Sequence, residues 1–244
     1  MITGYGHTNT RSPFLIRHLA LKIIELFFKR SSQHVVGRFL EVHGDEVLDL
    51  CTSEKQLLEL KKKVGGWDLA SKVNDANPAA DHTFASCESA SRAYRTGLKL
   101  DKRGEGGSNK ESSRSHIIFT LYASTPKVEE AGCVHIVDFA GHEFSPPQWM
   151  KERQEELWSN RKSTEQLINF LQTRKETQSK ELLDDSPALL KVLSPVLTQL
   201  ESRIMIIGTV SMEGSVDDEE TLLKLQDMAD LGSFSDYLNS LIPG

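Results

Sequence analysis

The sequence is poor in the features that most often announce chemistry. Only three of its 244 residues are cysteine. Cys51, Cys87 and Cys133 stand too far apart for paired motifs, which argues against a disulfide framework and a zinc site and fits a reducing, cytoplasmic setting. His116, His135 and His142 do not make a metal-ligand set, and no nucleophile-and-base constellation of a metabolic enzyme is visible. No apolar run approaches the length of a membrane span, and Met1 is not followed by the basic and then apolar segments of a secretory signal. Positive charge is not in excess. With 29 Lys+Arg against 35 Asp+Glu the net charge is -6, so neither nucleic acid nor a membrane is attracted globally, and an acidic partner must meet a local basic patch.

What is present concentrates in two stretches. Asn109-Lys110-Glu111-Ser112-Ser113-Arg114-Ser115-His116 is polar and hydroxyl-rich, and it leads into Ile117 to Ala123, whose apolar and aromatic residues predict a strand. Downstream, the apolar run Cys133 to Val137 closes on Asp138-Phe139-Ala140-Gly141-His142-Glu143. An aspartate at a strand end with a glycine three residues on is how many nucleoside-triphosphate sites hold Mg²⁺ and sense the γ-phosphate.

In this order and spacing, N-x-x-S-S-R-S-H and D-F-A-G-x-E resemble the switch I and switch II motifs of kinesin motor domains. The resemblance implies that Ser112 and Ser113 contact the γ-phosphate, the magnesium ion and the attacking water. It implies that Asp138 holds Mg²⁺ through water, that Gly141 offers its backbone N–H to the γ-phosphate, and that Arg114 pairs with Glu143 when the loops close. The alternative is that Arg114 and Glu143 only brace two loops of an inactive site. Asn109 joins the nucleotide-binding set. His142 replaces the family's serine beside Glu143 and adds bulk there, while His135, inside an apolar run, is expected to be a hydrogen-bonded core residue.

Near the start, Gly4-Tyr5-Gly6-His7-Thr8-Asn9-Thr10-Arg11 is similar to the opening of the kinesin phosphate loop, with Gly4, Tyr5, Gly6 and Thr8 in register. On a gapless register the family's later glycines become Asn9 and Arg11, its lysine Ser12 and its magnesium-binding threonine Pro13. Glycines let backbone N–H groups converge on phosphates, and lysine neutralises the β and γ charges. Both contributions are weakened here. Arg11 is one substitute cation, though its forked head starts a residue early; the other reading is that Ser12 and Pro13 simply start a helix as N-cap and N1.

The remaining chain fits the same pattern. Leu15, Ile16, Leu19, Ala20, Ile23, Ile24 and Phe27 recur at helical spacing, and Val35 to Val42 reads as a strand. Phe39 to Leu50 resembles the kinesin segment Y-L-E-I-Y-N-E-x-I-x-D-L, in a structural role. Leu57 to Asp81, with Lys61-Lys62-Lys63 and Gly65-Gly66, reads as loop, its lysines a solvated face or a contact for an acidic surface. Glu88 to Leu98 reads as a helix stopped near Gly97, and Lys99 to Ser108 as a mobile loop.

The segment Trp149 to Lys180 is long and charged. Asn160 to Leu167 resembles the kinesin helix that lies against tubulin. Leu167, Phe170 and Leu171 form its inward stripe, and Arg161, Lys162, Arg174 and Lys175 supply positive charge toward an acidic partner or toward solvent. The adjoining family loop is not preserved, and Asp184 and Asp185 stand where a basic contact is expected. Leu189 to Leu200 is a helical pattern interrupted by Pro195, Arg203 to Ser211 a buried strand, Ser215 and Asp218 a capping box, and Glu220-Thr221-Leu222 matches the opening of the family's last helix.

The expected architecture is α/β: a three-layer, P-loop NTPase-like kinesin motor fold with a mixed central sheet. Residues 1–232 form the motor-like domain and 233–244 a tail without heptads. The family's strands before the phosphate loop have no counterpart here, so a partner chain completing the sheet is one expectation. The function implied is a microtubule-associated, cytoskeletal domain with ATP and Mg as cofactors and with ATP binding or hydrolysis impaired. An active ATP-driven motor and a non-catalytic interaction module that retains the fold are the alternatives.

Overall fold

In the computed structural model the apolar runs become neighbours in one sheet; the residues described are 2–6, 12–30, 35–52, 55–63, 66–71, 81–100, 115–123, 132–140, 151–173, 184–198 and 202–209. The centre is β7 (His116–Ala123), which is buried over its first six residues and pairs antiparallel with β2 (Val35–His43) on one side and β8 (Cys133–Asp138) on the other. Beyond β8 the pairing turns parallel: β1 (Ile2–Gly6) lies beside β8, and β9 (Met205–Thr209) beside β1. Beyond β2 it stays antiparallel, through β3 (Glu46–Asp49), β4 (Gln56–Lys63) and β5 (Gly66–Ser71). Among the described residues the sheet order is β5-β4-β3-β2-β7-β8-β1-β9, with β6 (His82–Phe84) also paired to β2.

Alternation along the strands divides the core in two. Phe39, Phe119 and Ile136 face one way, where they pack with Ala20 and Ile24 of α1 (Ser12–Arg30) and Ala90 and Tyr94 of α2 (Cys87–Leu100). Their sequence neighbours Leu40, Ile118 and Val137 face the other way, against Leu167 and Leu171 of α3 (Lys151–Thr173) and Leu189, Leu190 and Leu193 of α4 (Ala188–Leu197). Period-2 strands between amphipathic helices leave no other arrangement, so the fold is three-layered with a mixed sheet. Of the predicted α1 stripe, Ala20 and Ile24 are fully buried, and Leu19, Ile23 and Phe27 partly so; the side chains of Leu15 and Ile16 lie outside the described residues. Pro195 falls within α4, where its ring removes one backbone donor close to the helix end.

Two expectations are corrected. Gln56 to Ser71 is not loop but the β4–β5 hairpin, with Leu58 and Leu69 in the core. Its lysines obscured it: Lys62 pairs with Asp184 and Lys63 with Asp68, so these charges belong to a solvated, edge-proximal strand rather than to a flexible segment. The helix read as ending at Gly97 continues to Leu100. A Cβ on Gly97 would stand 2.2 Å from a ring carbon of Phe39, so this glycine serves close packing and not helix termination. The helix is started by a reciprocal serine pair: Ser86 Oγ accepts the Ser89 N–H at 3.1 Å, and Ser89 Oγ accepts the Ser86 N–H at 3.1 Å.

Candidate functional site

Register brings the described strand ends that flank the motif stretches to one end of the sheet. Gly4 is paired with Asp138, and Asp138 with Ile117. Gly6, at the end of β1, Ala140, just past β8, and Ser115, just before β7, therefore lie beyond the same sheet edge. With strands about 4.8 Å apart, the three positions fall within roughly 10 Å across the sheet. The first helix after β1 packs back on β1 and β8, an arrangement that carries its N-terminal N–H groups toward that edge. Strand end, helix start and an aspartate on the adjacent strand are the scaffold on which phosphate sites are built.

Of the residues singled out in the sequence, Gly4, Tyr5, Gly6 and Asp138 lie on the strands that end at this edge. His7, Thr8, Asn9, Thr10 and Arg11, with Asn109, Ser112, Ser113, Arg114, Gly141, His142 and Glu143, lie outside the described residues, as do Arg174 and Lys175 and the segment carrying Ser215 to Leu222. Arg161 and Lys162 are on α3, Arg161 partly buried and Lys162 exposed. One turn before them stands Trp158, 71% exposed. The first helix opens Ser12-Pro13-Phe14-Leu15-Ile16, so its first cation is Arg17. The strand–helix scaffold fits a nucleoside triphosphate; the charge complement of the helix's first turn does not.

Behind the edge lies a buried polar group that the motif reading passed over. Ser115 Oγ donates to Glu41 Oε1 at 2.9 Å, and Lys55 Nζ meets Glu41 Oε2 at 2.5 Å. Glu41 is fully buried on β2, and only such pairing makes a buried carboxylate tolerable. Next to it, His116 Nε2 is 2.9 Å from Ser163 Oγ of α3, and His116 Nδ1 accepts the Ala140 N–H at 3.2 Å. Ser163 Oγ in turn donates to Asn160 O at 2.8 Å. A single imidazole thus ties the start of β7, the residue after the Asp138-Phe139 pair, and the helix that carries Arg161 and Lys162. Burial, with a smaller contribution from His43, pushes the His116 pKa down to about 3. The signal for Glu41 was a charged residue inside the apolar run Phe39 to Val42; the signal for Asn160 and Ser163 was polar residues on the stripe side of a helix.

His135 is hydrogen-bonded as read from the sequence, but it is partly buried rather than a core residue. It is hydrogen-bonded through Nδ1 to Thr120 Oγ1 at 2.9 Å, and desolvation lowers its pKa to about 4.

Comparison with known proteins agrees with this layout. The family model described as kinesin motor domain matches residues 4–229. Among solved structures, KIF14 with ADP in complex with a microtubule superposes with a TM-score of 0.72 at 22% identity, covering 96% of this chain and 72% of that one. A dimeric, two-heads-bound KIF14 with AMP-PNP in complex with a microtubule gives a TM-score of 0.63 at 22% identity, covering 94% and 70%.

Proposed function

This chain belongs to the kinesin motor domain family, and on that premise we propose that it is a microtubule-binding domain whose ATP binding and hydrolysis are impaired. The observation that carries the second half is the sequence at the opening of α1: on a gapless register with the family's phosphate loop, Ser12 and Pro13 fall at the positions of its lysine and magnesium-binding threonine. A hydrogen bond to a charged group contributes roughly 1.5 to 3 kcal/mol, so loss of the lysine alone weakens nucleotide affinity on the order of ten- to a hundredfold. The developing charge of the transition state loses at least as much. On this reading Ser112, Ser113, Asp138, Gly141 and Glu143 do not operate as a γ-phosphate sensor, and Arg114 and Glu143 are retained as an ion pair that braces two loops.

The first half rests on α3. Its inward side, Leu167 and Leu171, is committed to the core, which leaves Lys162 and Trp158 outward. Lys162 is exposed and Arg161 partly buried beside it, and Arg174 and Lys175 follow α3 in the sequence of a chain of net charge -6; these are the cations assigned to an acidic partner. Local complementarity of this kind is sufficient for an acidic filament. The KIF14 structures of the same fold are complexes with a microtubule.

The nucleotide half is tested by adding back what is missing. Binding of a fluorescent ATP analogue with Mg²⁺ is compared between the wild type and the Ser12→Lys/Pro13→Thr variant. The variant is expected to bind about ten- to a hundredfold more tightly. Tight binding by the wild type, left unchanged by the substitutions, would overturn the proposal.

A further inference from the structure

Two strands meet end to end along one side of β2. Leu40 of β2 pairs with Asp49, the last residue of β3, while Gly37 pairs with His82, the first residue of β6. Between these pairings the chain turns away from β3, with the Leu50 N–H bonded to Phe39 O at 2.7 Å. The turn presents Cys51 to the same spot. The Asp49 carboxylate oxygens, Cys51 Sγ and the His82 ring nitrogens supply one donor each, all within 4.8 Å of one another.

We propose that Asp49, Cys51 and His82 form a binding site for a divalent transition-metal ion of the zinc class. Carboxylate, thiolate and imidazole together are a borderline-soft donor set, one that favours zinc or cobalt over magnesium or calcium. Metal–ligand bonds of about 2.0 to 2.3 Å in a tetrahedron set donor atoms roughly 3.3 to 3.8 Å apart, so the three need only small adjustments to share an ion.

The arrangement around the donors is already that of a ligand set. The Asp49 side chain is 3% exposed; its Oδ1 accepts the Cys51 backbone N–H at 2.8 Å, and its Oδ2 lies 2.9 Å from His82 Nε2. One carboxylate oxygen is thus oriented by backbone, while the other is hydrogen-bonded to the ring nitrogen that would ligate, a contact the metal ion replaces by sitting between them. Asp81, the neighbour of His82, is occupied by Arg38 and does not compete. On binding, the Cys51 thiol gives its proton to water, and the proton that His82 Nε2 shares with Asp49 Oδ2 is displaced to water, leaving the ring protonated on Nδ1 alone and Nε2 free to ligate. Two anions then balance the dipositive ion. His82 is 32% exposed, which leaves solvent a route to the fourth position and makes the site three-donor plus water, with exchangeable metal.

The test is titration of the full chain with Co²⁺, read by absorption. The expected result is a saturable, one-to-one rise of thiolate-to-cobalt charge transfer with tetrahedral ligand-field bands, both removed by competing Zn²⁺. Cys51→Ser is expected to abolish the charge-transfer band and His82→Ala to weaken cobalt binding at least about tenfold, whereas Cys87→Ser and Cys133→Ser leave both unchanged. Circular dichroism confirms that each variant is folded. Absence of a thiolate band in the folded wild type, or its persistence in Cys51→Ser, overturns the site.

Discussion

His116 is held in one protonation state by its neighbours. Ser163 spends its hydroxyl proton on Asn160 O, so the His116 Nε2–H must donate to Ser163 Oγ, while Nδ1 receives the Ala140 N–H. The neutral Nε2–H tautomer is the one that satisfies all three bonds. Burial, which penalises a charge here, and to a smaller extent His43 lower the pKa from 6.5 to about 3; a proton on Nδ1 would also break the Ala140 bond. Between these values the unfolded chain binds a proton that the folded chain refuses. Stability is therefore full above the ordinary histidine range and is lost as pH falls toward 3, by at most about 1.4 kcal/mol per pH unit. His135 adds to the same window, so the measurement is a difference: urea unfolding of the wild type and of His116→Gln across this range. The variant is expected to be less stable near neutrality and to lose one proton's worth of slope. Parallel curves would remove His116 from this account.

At the scale of elements, packing decides what composition left ambiguous. Phe39 is fully buried between the ring of Tyr94, at a centroid distance of 5.2 Å, and that of Phe119, at 5.1 Å and edge-on. Such pairs add about 0.5 to 1.5 kcal/mol each beyond area burial. Gly97 lets α2 approach this cluster. Gly97→Ala is expected to cost about 1 to 3 kcal/mol in urea unfolding despite alanine's better helix propensity. Gly132→Ala, which meets nothing within 4 Å, should be near neutral. A neutral or stabilising Gly97→Ala would mean that Phe39 can move aside.

The same residues mark what could and could not be read in advance. Ile117 to Ala123, Cys133 to Val137 and the α1 stripe were legible because short runs rich in β-branched and aromatic residues point to strands and a longer 3.6-residue apolar spacing points to a helix. Gly97 was not, because a glycine in a helical pattern looks the same whether it ends the helix or admits a neighbour. Lys61 to Lys63 hid β4 because near-edge strands carry the charge that composition assigns to loops. Asp49, Cys51 and His82 were invisible because His82 is 33 residues from Asp49, and only the shared pairing of β3 and β6 with β2 joins them. The polar motifs could be placed next to strand ends from the sequence, whereas the hydrogen bonds of Glu41, His116 and Ser163 needed the fold.

At the scale of the whole molecule, the register of β1, β7 and β8 gathers the strand ends that flank the motif stretches at one edge, and His116 links that edge to α3, the helix assigned to the filament. In the proposed function this link is the scaffold for coupling a nucleotide to a partner surface, and the first turn of α1 lacks the cation that would let ATP drive it. Filament binding without nucleotide control is what that proposal entails. The most direct measurement is co-sedimentation of the purified, monodisperse protein with microtubules, with and without Mg-ATP. The account predicts salt-sensitive pelleting that Mg-ATP leaves unchanged. Failure of the folded protein to pellet, or its release from microtubules by Mg-ATP, would contradict it.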